Sequence, residues 1–309
     1  MTNANQALSG HPPIELVASP WRNTFISLLR SVEEDLFVAS PYIGRQAVEL
    51  IREELSLSGV LMTGRLAVLA NLSVENMARG GVDTGALAAL VRDAVHAQVY
   101  HLPSLHAKLY VADNHSAVVT SANLTQGGLV RNTGYGIYIR TPQLVQAIRQ
   151  DAESYAALGA YVALQTLDSF ASAAAELTSL RDELRRSEAR SLQDAFQYKL
   201  EQTHLAVLQC RALDESTHGI LARTLLYVLR RGPMRTQELH PLVQSIHPDL
   251  CDDTVDRVID GVHFGKKWKH YVRNAQQHLK RRGLAAFDGR QWSLTQQGDV
   301  VAHQAPLAH

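Results

Sequence analysis

Between residues 14 and 157, short apolar runs alternate with segments of helical periodicity, and this alternation restricts the fold more than any other feature. The runs at 36–39, 66–70 and 98–101 are too short for helices and read as buried strands. The first is stopped by Ser40-Pro41. Residues 45–55 and 84–95 read as helices, with Thr84 as the cap of the second. Residues 106–112, 116–121 and 135–140 are further strands, and a helix follows Pro142. Strands alternating with helices predict an α/β layered-sheet domain over 14–158.

The rest of the chain reads differently. Residues 1–13 and 303–309 are expected to be tails. No glycine or proline occurs between Gly159 and Gly219, and Leu177, Leu180, Leu184, Leu192 and Phe196 fall near helical spacing. Residues 168–212 are therefore one or two long helices within a 159–215 segment, either packed on the surface or serving as a linker or dimer arm. Over 216–302 the pattern predicts helices at 218–230, from 236 to before Pro248, at 252–260 and at 267–282. Gly283 closes the last of these as a C′ residue. Residues 284–287 and 291–294 then form a hairpin across Asp288-Gly289. Helices followed by such a hairpin resemble a winged helix-turn-helix, and the run 292–298 resembles the end of winged-helix domains in prokaryotic restriction enzymes and regulators.

Composition excludes several classes. Hydrophobic residues make up 46% and charged residues 19% of 309, which is ordinary globular usage. No apolar run approaches the ~18 residues of a membrane span. The polar N-terminus has no signal-peptide core, and the two cysteines, Cys210 and Cys251, form no C-x-x-C pair. A cytoplasmic protein without a membrane partner is expected. The net charge of zero hides an asymmetry: residues 262–290 hold 8 basic residues against one acidic residue, Asp288. A concentrated basic segment in a neutral chain predicts a polyanion contact there.

One segment carries chemistry. It runs His106-x-Lys108-x4-Asp113, then six residues, then Thr120-Ser121-x-Asn123. On a strand, His106, Lys108 and Tyr110 would share one face, and Leu105, Ala107, Leu109 and Val111 the opposite, core-facing one. Ser121 and Asn123 would share a face if the next strand runs that far. The set offers an imidazole, an ammonium, a hydroxyl and an amide to one small site. An imidazole can attack phosphorus and form a covalent phosphohistidine, while lysine, serine and asparagine hold the non-bridging oxygens. No carboxylate cluster for Mg²⁺ accompanies it, so a metal-independent reaction without cofactor is expected.

This spacing resembles the HKD motif of the phospholipase D superfamily, H-x-K-x4-D-x6-G-S-x-N, and residues 37–42 are similar to that fold's early strand and turn. The resemblance covers about 14–158 and departs from the family at Thr120, where glycine is usual. It also departs at Gly134, where an N-x-E beginning at Asn132 would place a glutamate that orients the histidine in related nucleases. It implies His106 as nucleophile, Lys108, Ser121 and Asn123 on the phosphate, and Asp113 in support. His101 and His115 flank the motif as bystanders or as lining. The family uses two such motifs per site, and His263-Phe264-Gly265-Lys266 has the wrong spacing for a second. The resemblance therefore implies a homodimer with His106 from each subunit at a shared site.

In the helix at 267–282, Trp268, Val272, Ala275 and Leu279 should face the core, with Lys269, Arg273, Gln276 and Lys280 on a second stripe. Arg281-Arg282 complements the helix dipole. As a recognition helix it would enter a DNA major groove, with Lys266, Lys267 and Arg290 on phosphates and the hairpin as wing. The expected function is a homodimeric, metal-independent DNA endonuclease of restriction or phage-defence type, with RNA as an alternative substrate. The alternatives are a non-catalytic nucleic-acid-binding component of a multi-protein modification or defence system, and a lipid phosphodiesterase.

Overall fold

A computed structural model describes residues 12–184, 190–214, 216–259 and 262–303. The tails expected at 1–13 and 303–309 lie outside these apart from residues 12, 13 and 303. The first unit runs β1 (Ile14–Ala18), α1 (Arg22–Arg30), β2 (Asp35–Ala39), α2 (Arg45–Leu57), α3 (Val60–Thr63), β3 (Arg65–Ala70), α4 (Val74–Ala78), α5 (Thr84–Asp93) and β4 (His96–His101). It continues through β5 (Leu109–Ala112), β6 (Ser116–Thr120), a π-helical turn (Gly127–Arg131), β7 (Tyr135–Ile139), α6 (Pro142–Leu158) and β8 (Ala160–Tyr161). All eight strands form one sheet in the order β1-β7-β6-β5-β2-β3-β4-β8. The β2-β3 and β3-β4 pairs are parallel and the rest antiparallel, so the fold is mixed α/β as the alternation predicts.

Both faces of this sheet are covered. Leu36, Val38, Val68 and Tyr110 enter one core with α1, α2 and α5, whereas Phe37, Ala39, Leu69, Leu109 and Val111 enter a second under α6. A strand buried on both faces shows no polar alternation, which is why 36–39 and 66–70 are continuously apolar. The expectation of a single core side for β5 is thereby corrected. A second correction concerns α5, whose cap is Asp83: its Oδ1 accepts the Ala86 N–H at 2.8 Å, and Thr84 is the first helical residue.

The 159–215 segment forms two helices, α7 (Leu164–Leu184) and α8 (Arg190–Asp214). Leu167, Phe170 and Leu177 of α7 and Val207 and Cys210 of α8 join the first core, with Phe196 and Leu200 packed against it. An Arg92–Asp168 ion pair also ties α5 to α7. These helices pack against the sheet domain.

The C-terminal unit contains α9 (Thr217–Leu229), α10 (Thr236–Ile246), β9 (Asp256–Ile259), β10 (Val262–Lys266), α11 (Lys267–Arg281), β11 (Ala285–Phe287), β12 (Trp292–Leu294) and α12 (Gln296–His303). Its core is built from Leu225, Leu229, Leu239, Val243, Trp268, Val272, Leu279 and Trp292. The helix expected at 252–260 is absent: Asp252 Oδ1 accepts the backbone N–H and the hydroxyl of Thr254, turning the chain into the antiparallel β9–β10 pair. Such Asx turns compete with helix, and the β-branched Thr254, Val255, Val258 and Ile259 favour extension. Gly283 has φ 70°, as a C′ position requires. Asp288-Gly289 opens a four-residue loop between β11 and β12, with Asp288 Oδ1 accepting the N–H groups of Arg290 and Gln291. A bridge between Met234 and Trp292 adds the residues before α10 to this hairpin.

The two units meet at α6 and α9. The Tyr155 and Tyr227 rings lie edge to face with centroids 6.3 Å apart, and Arg230 Nη1 donates to Ser154 Oγ at 3.4 Å. Burial against Tyr227 pushes the Tyr155 hydroxyl up to about 12.

Candidate active site

His106, Lys108 and the 120–123 segment gather where the parallel strands β2, β3 and β4 end. The β5 ladder stops at Leu109, because β2 ends at Ala39 ahead of Pro41 and β6 turns away at Thr120. His106 and Lys108 therefore sit in an extended approach to β5, not on the strand itself. The Lys108 carbonyl still accepts the Thr120 N–H at 3.0 Å, which lays the two halves of the motif side by side.

His106 is exposed, and Lys108 is only 7% exposed. Lys108 Nζ donates to the His106 carbonyl at 2.8 Å and lies 3.2 Å from His106 Nε2 and 3.4 Å from Nδ1. The ammonium thus sits between the two ring nitrogens with spare donors for an anion. Burial lowers the Lys108 pKa from its ordinary 10.5.

Asn123 is fixed from both sides. Tyr110 donates its hydroxyl to the Ala122 carbonyl at 3.4 Å. The Leu124 N–H donates to Ser40 Oγ at 3.0 Å, and Ser40 Oγ in turn donates to the Tyr42 carbonyl at 2.7 Å. Asn123 Oδ1 is buried and has no hydrogen-bond partner among the described residues. A buried amide oxygen without a partner is costly, and a bound water or ligand would supply the missing donor. Beneath it, the π-helical turn brings Gly128 against the Asn123 carbonyl, and Trp21 Nε1 donates to the Gly128 carbonyl at 2.7 Å.

Ser121 is exposed, and its Oγ accepts the Tyr135 N–H at 3.0 Å. β6 does not reach it, so Ser121 and Asn123 do not share a strand face. Tyr110 does not line the site: it is fully buried, with Trp21 and Phe25 ring centroids 5.4 and 5.1 Å away, and burial pushes its hydroxyl pKa upward. Thr120, where the motif usually has glycine, lies opposite Gly136, at which a Cβ would come within 2.8 Å of the Thr120 Cβ. The missing carboxylate position at Gly134 is also filled: a Cβ there would lie 3.2 Å from Ser19 Oγ and 3.4 Å from Ser121 Oγ. Asn132 is exposed.

Asp113 stands at the other end of β5, roughly 20 Å from His106 at strand rise. Its carboxylate accepts the N–H groups of Glu33, Glu34 and Asp35 at 2.8, 2.9 and 2.8 Å, and its φ is 49°. It ties the loop before β2 to the end of β5 and has no place among the reacting groups. Asp113→Ala should therefore lower stability by about 2–3 kcal/mol while leaving turnover per folded molecule unchanged. Urea unfolding beside steady-state kinetics checks this, and a selective loss of kcat would contradict it. His115 pairs with Asp113 at 3.3 Å, far from the site. His101 is buried, and its Nδ1 accepts the Leu72 N–H at 3.0 Å, so it shapes the loop after β3 instead of lining the site.

Residues 25–156 match the family model described as cardiolipin synthase, PLD-like domain. The match covers 132 of the 309 residues, and that segment is similar to a PLD-like domain. The matched segment holds every motif residue from His106 to Asn123. No curated protein matches the chain. Among solved structures, Nuc, a phospholipase D family member from Salmonella typhimurium, aligns at 13% identity over 46% of this chain and 93% of its own, with a TM-score of 0.39. NucT from Helicobacter pylori aligns at 14% identity over 45% of this chain and 92% of its own, with a TM-score of 0.37. Phosphatidylserine synthase from Haemophilus influenzae Rd KW20 aligns at 14% identity over 57% of this chain and 46% of its own, with a TM-score of 0.44. No helix among the described residues is long and apolar enough to cross a membrane.

Outside the PLD-like domain, Lys267, Arg273, Lys280 and Arg290 are exposed, and Lys269 lies over the Trp268 ring at 5.4 Å. Lys266 is paired, and the expected exposed position of Gln276 is corrected. Lys266 Nζ is held by Asp256 Oδ1 at 2.8 Å, which raises its pKa and neutralises its charge locally. Gln276 is 3% exposed and donates to Thr236 Oγ1 at 3.2 Å, because the buried sector of α11 is wider than a single stripe.

Proposed function

We propose that the chain is a metal-independent nuclease in which the PLD-like domain cleaves DNA and the C-terminal unit, read as a winged helix, binds it. The observation that supports the chemistry is the His106–Lys108 contact, on a segment hydrogen-bonded at the Lys108 carbonyl to the Thr120 end of the loop that carries the unpartnered Asn123 amide oxygen. His106 would attack phosphorus as the 3′ or 5′ oxygen leaves, giving a phosphohistidine that water then hydrolyses. Lys108 and Asn123 neutralise and hold the non-bridging oxygens as charge develops. Ser121 lies within the same loop as a further donor. With one motif per chain, His106 of a second copy would protonate the leaving oxygen and later activate the water, so a homodimer is the working assembly. A place in a restriction or phage-defence system, with or without partner proteins, would fit an enzyme that joins cleavage to recognition. The cytoplasm is its expected compartment.

A second reading follows from the family description: a phospholipid phosphodiester as substrate. Cutting of plasmid and single-stranded DNA and RNA in EDTA, beside hydrolysis of anionic phospholipid vesicles, separates the two. DNA cleavage without lipid turnover supports the nuclease. Lipid turnover alone overturns it, and inactivity on every substrate supports the non-catalytic binder. Sedimentation of the active species should give a dimer.

The burial of Lys108 gives a pH expectation. A lysine that must stay charged on the phosphate, with a pKa lowered by burial, loses its proton below 10.5. Activity should therefore fall on the alkaline side at a pH below that value. Lys108→Arg, whose guanidinium stays protonated, should shift that limb upward in a kcat/KM profile. A limb unmoved by this change would assign it to another group.

A further inference from the structure

We infer that α11 reads duplex DNA through the amides of Asn274 and Gln277, each suited to adenine. The inference rests on the nucleic-acid reading of the C-terminal unit. Trp268, Val272, Ala275, Gln276 and Leu279 define the buried side of α11. At about 100° per residue, the direction opposite their mean passes between Asn274 and Gln277. Both are exposed. Together with His270, which Arg257 Nη1 contacts at 3.0 Å, and Arg281 they form the outermost part of the helix, which the basic stripe at Lys269, Arg273 and Lys280 does not.

Charge favours a polyanion on this face. Residues 267–281 contain no acidic side chain. Lys269, Arg273 and Lys280 run along one flank of the amides, Lys267 lies on the other, and Arg281 continues the line of the amides one turn beyond Gln277. Cations on both sides with neutral amides between them complement a groove: phosphates at the two walls, base edges at the floor. An amide offers one donor and one acceptor together, which is the pattern adenine presents in the major groove as N6–H and N7. Asn274 and Gln277 are about 4.5 Å apart along the helix, close to one base-pair step of about 3.4 Å.

The acidic groups nearby set the register. Asp253 accepts the Trp268 Nε1–H at 2.9 Å, and Asp256 holds Lys266, so both carboxylates stand at the N-terminal end of α11, with Asp252 beside them. They repel phosphate there. The cations without such neighbours, Arg273, Lys280, Arg281 and Arg282, lie from the middle of the helix onward, and the duplex is therefore engaged by this C-terminal part.

The test is selection from random duplexes by full-length protein carrying His106→Ala, which keeps the DNA intact. Expected is a preferred sequence with A·T pairs at fixed adjacent positions. Asn274→Ala and Gln277→Ala should each relax the preference at one of them and weaken binding to the selected site about 10-fold or more. Their thermal midpoints and non-specific binding should stay unchanged. Lys280→Ala should instead weaken binding to all sequences and reduce the salt slope by about 0.9. A preference unchanged in both amide variants, or DNA binding without any preferred sequence, overturns the inference and leaves the DNA reading standing. No DNA binding at low salt, or binding only to an acidic protein, overturns both.

Discussion

His106→Ala should reduce phosphodiester cleavage by at least about 10⁴-fold, with binding of DNA retained. The size follows from removing a covalent nucleophile, whose loss leaves only what positioning and charge stabilisation supply. Lys108 and Asn123 remain in place in this variant, because neither depends on the imidazole for its backbone position: Lys108 is held by its burial and Asn123 by Ser40 and Tyr110. Rapid acid or base quench of the wild-type protein with labelled substrate should trap a phosphorylated chain that is stable to base and labile to acid, as a phosphoramidate is. The same quench of His106→Ala should trap none. A variant that keeps cutting, or a trapped species unaffected by the substitution, would remove His106 from the chemistry.

Gly128→Ala should have the largest effect of any single methyl group added to the PLD-like domain. A Cβ at this position would fall 2.0 Å from the Asn123 carbonyl oxygen and 3.1 Å from its nitrogen, both backbone atoms. No rotamer relieves such a contact, so either the π-helical turn or the Asn123 loop must move. The turn is tied down by Trp21 and by Thr125, whose Oγ1 accepts the Gly128 N–H at 3.1 Å. The loop is tied down by Ser40 and Tyr110. Overpacking between two fixed segments costs about 3 kcal/mol, and a displacement near 1 Å at Asn123 costs about 100-fold in rate. Chemical denaturation and kcat measured together check the two parts. A folded variant with unchanged stability and rate would show that the turn and loop are not in this contact.

The two halves of the motif were readable as spacing, and the structure brings His106, Lys108 and the 120–123 loop together as that spacing implies. The position of Asp113 was not, for a geometric reason. Four intervening residues look short in sequence, but on an extended strand they carry a side chain to the opposite rim of the sheet. The residues that hold Asn123 were also hidden. Ser40 is 84 positions from the N–H it accepts, and no local pattern reports a hydrogen bond between strand ends joined only by the sheet order. Periodicity located α11 to within a residue and found its buried stripe. It misplaced Gln276, since counting one stripe cannot say how wide the covered sector is. At 252–260 the apolar and acidic residues fit a helix equally well on paper, and a single Asx turn at Asp252 decided for strand.

The contact between Tyr155 and Tyr227 bears on where a cut would fall. α6 spans the sheet face under β5 and β6, and α9 is packed on α6 and on α11 alike. The segment that would grip DNA and the β5 strand that follows the His106 segment are thus joined through two helices, not through a loose tether. Such a body would act as a gauge. Scission would occur at a set number of base pairs from the bound sequence, whatever the intervening bases, and loosening the α6–α9 seam would blur that distance before it slowed the reaction.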